Sequence, residues 1–150
     1  MTRSTARSWA AVITLALLAS LLGTLPAASA DDPQISFSLE QKRKSPQVLD
    51  GVTVGGVIHP FLTADTGVTA VSWWLDDPAA AGQPVRTDTT SPFDYAPGST
   101  SHASGPFDTA SLPDGEHTIT AHVTTGAGVV TRHATFTTEN NVAALFTTSR

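Results

Sequence analysis

Val68–Asp77 reads V-T-A-V-S-W-W-L-D-D, and in this stretch strict alternation coincides with bulky aromatic side chains. Successive side chains of an extended strand project to opposite faces of a sheet. Trp73 and its alternate neighbours therefore form a heavy apolar face, whereas Trp74 points to the opposite side. The pattern predicts a central β-strand with Trp73 at the centre of a hydrophobic core.

Shorter segments on both sides of this strand also alternate, and turn-forming residues separate them. No segment after residue 30 has the period of a helix, so we predict an all-β Greek-key sandwich of about seven strands. The other predicted strands are Gln34–Gln41, Val52–Val54, Val85–Thr89, Glu116–Thr124 and Val129–Thr138.

Glycine and proline mark the breaks between these strands. Gly55 and Gly56 interrupt a strand pattern, which indicates a bulge or the close approach of another backbone segment. Pro60 indicates a sheet edge or a strand end, because proline lacks a backbone N–H. The run Pro113-Asp114-Gly115 predicts a tight turn, since proline presets φ and glycine accepts a positive one.

The first 30 residues have the features of a secretory signal peptide: Arg3 and Arg7, an apolar run, and small residues before a cleavage site after Ala30. The alternative is a membrane anchor, but the apolar run falls short of the ~20 residues that a span prefers. We therefore expect secretion and no membrane insertion of the mature chain. Residues 31–46 are then an N-terminal strand and loop, 47–140 the sandwich and 141–150 a C-terminal tail.

Composition narrows the classes of partner and chemistry. The chain contains no cysteine, so no disulfide braces the exported domain. After residue 30, six Lys and Arg stand against thirteen Asp and Glu, a net charge of −7 with His neutral. This acidic balance argues against nucleic acid and anionic membranes as partners.

Two motifs resemble the bacterial immunoglobulin-like (Big-type) domains of secreted actinobacterial proteins. One is V-S-W-W-L-D at Val71–Asp76, followed by V-R-T-D-T-T-S-P-F-D at Val85–Asp94; the other is P-F-D-T-A-S-L-P-D-G-E-H-T-I-T-A at Pro106–Ala121. The resemblance implies an immunoglobulin-like sandwich that acts as a spacer, an adhesion module or an accessory binding module. Asp77 and an inserted loop depart from the family's tight turn, so we expect a longer first hairpin.

The residues do not assemble into a recognisable catalytic site, and we expect no enzymatic activity and no cofactor. There is no G-x-S-x-G elbow and no cysteine nucleophile. On one strand, His117 and His122 face opposite sides. His122 and His133 could lie opposite each other across the last hairpin, but two ligands without a third make a weak metal site.

Loop carboxylates are the alternative source of metal ligands. Asp76, Asp77, Asp108 and Asp114 could supply oxygen atoms to calcium at the ends of the sandwich. Their spacing is not that of a known calcium loop, and turn formation already accounts for Asp114. These residues are therefore weak candidates.

Trp74, with Tyr95 nearby, is the candidate ligand-binding site. Sugar rings stack on exposed aromatic faces, and an outward tryptophan costs solubility unless something covers it. The alternative is that the loop Asp77–Pro84 or the tail covers Trp74. The sequence thus favours a secreted, non-catalytic module that binds an extracellular protein or polysaccharide. The alternatives are a purely structural domain and a small hydrolytic or metal-dependent protein.

Overall fold

A computed structural model of the chain describes residues 32–63, 65–98 and 103–140. Nearly all regular structure within these ranges is strand. A short 3-10 turn spans Thr109–Ser111. The strands are β1 (Gln34–Ser38), β2 (Gln47–Val48), β3 (Thr53–Val54), β4 (Val57–Thr63), β5 (Val68–Leu75), β6 (Arg86–Asp88), β7 (Phe107–Asp108), β8 (Gly115–Thr125) and β9 (Gly128–Thr138).

The strands form two sheets, one in the order β2-β1-β4-β7 and the other in the order β3-β9-β8-β5-β6. Neighbouring strands are antiparallel except β3, which runs parallel to the end of β9. The chain changes sheet five times, after β2, β3, β4, β6 and β7, and these crossovers give the sandwich its Greek-key connections. The prediction of an immunoglobulin-like β-sandwich is confirmed.

The core lies between the two sheets, and Trp73 is the largest fully buried side chain of the described residues. Such a side chain removes about 150–250 Å² from water, worth roughly 4–6 kcal/mol as an upper limit at ~25 cal/mol per Å². The apolar neighbours come from both sheets: Ile35, Phe37, Ile58 and Leu62 from one, and Val71, Ile119, Ala121, Val123 and Phe136 from the other. Trp73 is therefore the core residue that the alternation predicts.

The predicted turns lie where the glycines indicate. A Cβ built on Gly55 would stand 2.5 Å from the carbonyl oxygen of Glu139, so two backbones meet closely at this glycine. Gly115 has a φ of +135° after the Pro113-Asp114 turn. Two residues, Gly126 and Ala127, connect β8 to β9, and this short connection sets the register of the longest strand pair.

Two predictions about the first sheet are wrong. Pro60 lies in the middle of β4, paired with Phe37 of β1, and not at a strand end. The backbone of Tyr95 donates to the Pro60 carbonyl oxygen at 3.0 Å on the other side, where an irregular segment replaces a regular strand. The predicted first strand, Gln34–Gln41, is too long: β1 ends at Ser38, and Leu39 beyond it is 68% exposed. β1 itself lies inside this sheet, between β2 and β4.

Irregular segments of the chain cover the outer face of the four-stranded sheet. Arg43, in the β1–β2 loop, donates from Nε to Oδ1 of Asp94 at 2.9 Å and places its guanidinium 5.8 Å from the centre of the Phe61 ring. The Nδ1 atom of His59 lies 2.9 Å from the carbonyl oxygen of Gly105. The outer-facing side chains of His59 and Phe61 in the middle of β4 are therefore buried, whereas Val57 at its start is 48% exposed.

Within the described ranges, no helix has the length and the apolar character to cross a bilayer. The predicted signal peptide (residues 1–30) and the C-terminal tail (141–150) lie outside the described residues.

Candidate functional site

Trp74 points away from the core, as the alternation predicts, but it is only 7% exposed. Its indole Nε1 donates to the carbonyl oxygen of Gly82 at 2.9 Å, and its ring lies 4.6 Å from the ring of His122. The loop after β5 thus covers the indole. Trp74 therefore does not form an exposed platform, and the alternative interpretation, a covered Trp74, is confirmed.

This covering loop, residues 76–85, is closed by an internal hydrogen bond and contains two residues with positive φ angles. The Gly82 amide donates to Oδ2 of Asp77 at 2.8 Å, and this bond is the main reason why the pKa of Asp77 lies below its usual value. Asp76 and Ala80 have positive φ angles of 53° and 49°, which disfavour side chains other than glycine, asparagine and aspartate. The longer first hairpin that the sequence predicts is therefore a closed cover over Trp74.

Tyr95 does not lie beside Trp74, so that prediction is wrong. Its ring packs edge-on against Trp73, with centroids 6.0 Å apart, and against Phe107, with centroids 5.0 Å apart. Burial, with a smaller contribution from the negative charge of Asp76, raises the pKa of Tyr95 to about 12. Tyr95 is a core residue because the segment after β6 returns to the edge of β4, on the far side of Trp73.

The carboxylates proposed as calcium ligands each accept hydrogen bonds from the protein. Asp76 accepts from the amide of Thr118 at 3.0 Å, Asp77 from Gly82, and Asp114 from the amide of Asn140 at 2.7 Å. Within residues 32–63, 65–98 and 103–140, no three His, Asp or Glu side chains lie close enough together to hold a metal ion. Asp108 caps the 3-10 turn by accepting from the Ala110 amide. In each case the donor to the aspartate is a backbone amide, so these side chains stabilise the loops and turns in which they lie.

The histidines occupy two different environments. His117 is buried, and its Nδ1 and Nε2 lie 2.8 Å from Oδ2 of Asp76 and 2.9 Å from the carbonyl oxygen of Pro113. The register pairs His122 with Thr131 and His133 with Thr120, so the two imidazoles are diagonal rather than opposite. The prediction of an opposed His122–His133 pair is wrong, and the prediction that His117 and His122 face opposite sides is confirmed.

β6, β5, β8 and β9 are neighbours in the five-stranded sheet, and we call their outer face the threonine–histidine face. Cross-strand contacts show that its side chains share one side of the sheet: Ser72 Oγ lies 2.9 Å from Thr87 Oγ1, and His133 Nδ1 lies 3.2 Å from Thr120 Oγ1. The face consists of Thr87 on β6, Ser72 and Trp74 on β5, Thr118, Thr120, His122 and Thr124 on β8, and Val129, Thr131, His133 and Thr135 on β9.

The threonine–histidine face has no Asp, Glu, Lys or Arg among these described side chains, although the chain has thirteen acidic and eight basic residues. Acidic groups lie at its margins: Asp76 and Asp77 after β5, Glu116 at the start of β8, and Asp50, which accepts from the Thr135 amide at the edge of β9. Its exposed groups are hydroxyls, methyls and imidazoles, together with Val129, which is 61% exposed. Such a surface can exclude water without leaving a charge unpaired.

Sequence reasoning did not identify this face as a site, although the signal was present. Thr118–Thr124 reads T-I-T-A-H-V-T and Thr131–Thr137 reads T-R-H-A-T-F-T, so the outward positions of two neighbouring strands carry only threonine and histidine. Aromatic rings and carboxylates were the predicted binding groups, and neither marks this face. The signal that marks it is the lack of charged residues at these outward positions.

Comparisons with known proteins add no family. No family profile and no curated protein matches the chain. Among solved structures, an endo-β-1,4-mannanase from Thermotoga petrophila is 13% identical with a TM-score of 0.42, over 76% of this chain and 21% of the mannanase. The fibronectin(III)-like modules of Clostridium thermocellum CbhA are 11% identical with a TM-score of 0.41, over 72% of this chain and 96% of the module chain. An engineered protein is 22% identical with a TM-score of 0.35, over 60% of this chain and 18% of its own.

The chain thus spans about a fifth of the mannanase that it resembles. At these scores the fold assignment depends on the chain's own sheet topology. The resemblance of its motifs to bacterial immunoglobulin-like domains stays a prediction.

Proposed function

We propose that this chain is a secreted, non-catalytic immunoglobulin-like module that binds another extracellular protein through the threonine–histidine face, as members of the bacterial immunoglobulin-like family do in accessory or adhesive roles. The observation that carries the proposal is the absence of charged side chains across four strands of this described face. Charged residues are depleted at the centres of protein interfaces, because each must be desolvated there.

The exposed side chains of the face favour a protein partner over a polysaccharide. The proposed sugar platform required exposed rings at Trp74 and Tyr95, and both are only 7% exposed. The exposed large apolar side chains of the described residues are aliphatic, and one of them, Val129, lies on this face. Valine and threonine methyls suit the apolar centre of a protein partner, whereas sugar rings bind by stacking on aromatic ones.

The side chains of the face support a role without catalysis. Its hydroxyl–imidazole contact joins Thr120 to His133, but Thr120 is fully buried and cannot reach a substrate. A nucleophile must lie next to a base and also be open to the substrate. Secretion is part of the same proposal and is supported by the leader sequence that ends at Ala30.

The test is retention of extracellular proteins on the immobilised purified protein, compared with two variants that place a charge on the face. Thr87→Lys and Thr124→Lys introduce an ammonium group at an exposed and a half-buried position of the face, on β6 and on β8. The matched control is Thr66→Lys, at an exposed position in the turn before β5. Thermal unfolding of all three variants verifies that they fold.

We expect one or more defined proteins to be retained by the parent and by Thr66→Lys, with at least tenfold less retention by the two face variants. Equal retention by all four proteins would contradict the proposed surface. Retention of the parent on cellulose, chitin or cell wall, with loss in Thr87→Lys and Thr124→Lys, would replace the protein partner with a polysaccharide.

A further inference from the structure

β9 is an edge strand over part of its length. Its last two residues, Thr137 and Thr138, pair with β3, and the amide of Gly51 donates to the carbonyl oxygen of Thr135 at 2.7 Å. Gly128–His133 extend beyond this cover. Within the described residues, no strand pairs with this part of β9 on the side opposite β8.

The direction in which the unpaired N–H and C=O groups of Gly128–His133 point follows from the hydrogen bonds of later residues in β9. The amides of Thr135 and Thr137 donate away from β8, to Asp50 Oδ1 and to the carbonyl oxygen of Val52. Backbone groups alternate along a strand, so those of Val129, Thr131 and His133 point to the same side. An exposed row of this kind is a template for another strand.

The chemistry of this edge fits a second copy of the same chain. Antiparallel pairing about a two-fold axis at Thr131 sets Val129 opposite His133 of the second copy and Thr131 opposite Thr131, and opposed threonines are a favourable cross-strand pair. Arg132 is the charged residue of the segment. Its Nε donates to the carbonyl oxygen of Pro33 at 2.8 Å, and its guanidinium pairs with Asp32.

Charge also favours this edge as the meeting point of two copies. The chain is acidic, so most pairs of surfaces from two copies bring like charges together. At Gly128–His133 the side chains on the side of the threonine–histidine face are uncharged, and Arg132, on the opposite side, is paired with Asp32. Valines 129 and 130, which are 61% and 39% exposed, gain cover when the edges meet.

We propose that two copies of this chain associate through antiparallel pairing of their β9 edges at Gly128–His133, which joins two five-stranded sheets into one continuous sheet. The contact is small, so we expect a weak dimer that forms at high local concentration. This inference does not depend on the partner proposed for the face. Val129, Thr131 and His133 belong to both surfaces, but Thr87 lies on β6, which two other strands separate from β9.

Sedimentation velocity of the purified protein from about 10 µM to about 1 mM tests the proposal, since small interfaces dissociate in this range. Thr131→Pro removes an edge N–H that points away from β8, a position where an edge strand tolerates proline. Thr131→Val keeps the backbone donor and is the matched control. If Thr131→Pro does not fold, Val129→Lys replaces it, because two lysines would then flank the joined edge.

We expect the parent, Thr131→Val and Thr87→Lys to approach dimer mass with rising concentration, and the edge variant to stay monomeric. A parent that is monomeric over the whole range would overturn the proposal. Equal dimerisation of the folded edge variant would also overturn it. Loss of partner retention in Thr87→Lys with unchanged dimerisation would separate the two proposals.

Discussion

The imidazole of His117 lies between two oxygen acceptors, Asp76 Oδ2 at 2.8 Å from Nδ1 and the Pro113 carbonyl at 2.9 Å from Nε2. Both ring nitrogens must carry a proton to donate to both acceptors, which favours the imidazolium form. Burial lowers the pKa of His117, but the Pro113 carbonyl and the Asp76 carboxylate raise it by more, so the pKa lies above its usual value. This contact ties the end of β5 to β8 and to the turn before it.

The first prediction concerns the pH dependence of stability. Because folding raises the pKa of His117, its contribution is fully present below the unfolded pKa of ~6.5 and is lost as pH rises through the folded pKa. Asp76→Asn keeps an oxygen for Thr118 and tolerates the positive φ but removes the charge. Chemical denaturation between about pH 6 and about pH 9 should show that the unfolding free energy of the parent falls more steeply than that of Asp76→Asn. The excess loss is about 1.4 kcal/mol for each unit by which the folded pKa of His117 differs between the two proteins. Parallel profiles of the two proteins would refute the imidazolium assignment.

The second prediction uses the single tyrosine of the chain. Burial raises the pKa of Tyr95 to about 12, so absorbance at the phenolate band should titrate with a midpoint near 12 in the folded protein. In denaturant the midpoint should return to ~10. The raised pKa stabilises the fold fully below pH ~10, and this contribution is lost as pH rises towards 12. A midpoint near 10 in the folded protein would mean that Tyr95 is open to water.

The third prediction concerns the cover over Trp74. Trp74→Phe retains an aromatic ring but removes the Nε1 donor to Gly82, so we expect a loss of about 1–3 kcal/mol in the free energy of unfolding. Hydrogen exchange of the Gly82 amide, which bonds to Asp77, should become faster as the loop loosens. Unchanged stability together with unchanged exchange would show that the loop does not depend on the indole.

The fourth prediction concerns the close approach of two backbones at Gly55. A methyl group at this position would stand 2.5 Å from the Glu139 carbonyl oxygen, so Gly55→Ala should destabilise the fold by about 1–3 kcal/mol. Gly126→Ala is the matched control, since a Cβ there meets nothing within 4 Å. Equal thermal unfolding of the two variants would exclude the contact.

Local patterns predict most of this fold. Alternation at Val68–Leu75 places Trp73 in the core and Trp74 outside it, and Gly115 ends its turn with the positive φ that glycine permits. The position of Tyr95 is not predictable in this way, because it depends on where an irregular segment returns to β4. The cover on Trp74 likewise depends on the path of a loop whose contacts are not periodic.

The relative position of His122 and His133 is an intermediate case. The connection Gly126-Ala127 has two residues, so Thr125 pairs with Gly128, and counting back along both strands sets His122 opposite Thr131. The sequence contains this information, but only after the turn length is assigned correctly. The candidate face depends on the same register, and for this reason the pattern of its outward side chains became evident only with the paired strands.

The central claim is that the threonine–histidine face is the surface that meets the partner, and imidazole NMR tests it most directly. His122 and His133 lie on this face, whereas His59 and His117 are buried elsewhere in the fold. When a retained protein is titrated in, the account predicts that the imidazole signals of His122 and His133 shift or broaden while those of His59 and His117 stay in place. Changes confined to His59 and His117, with His122 and His133 unaffected, would contradict it.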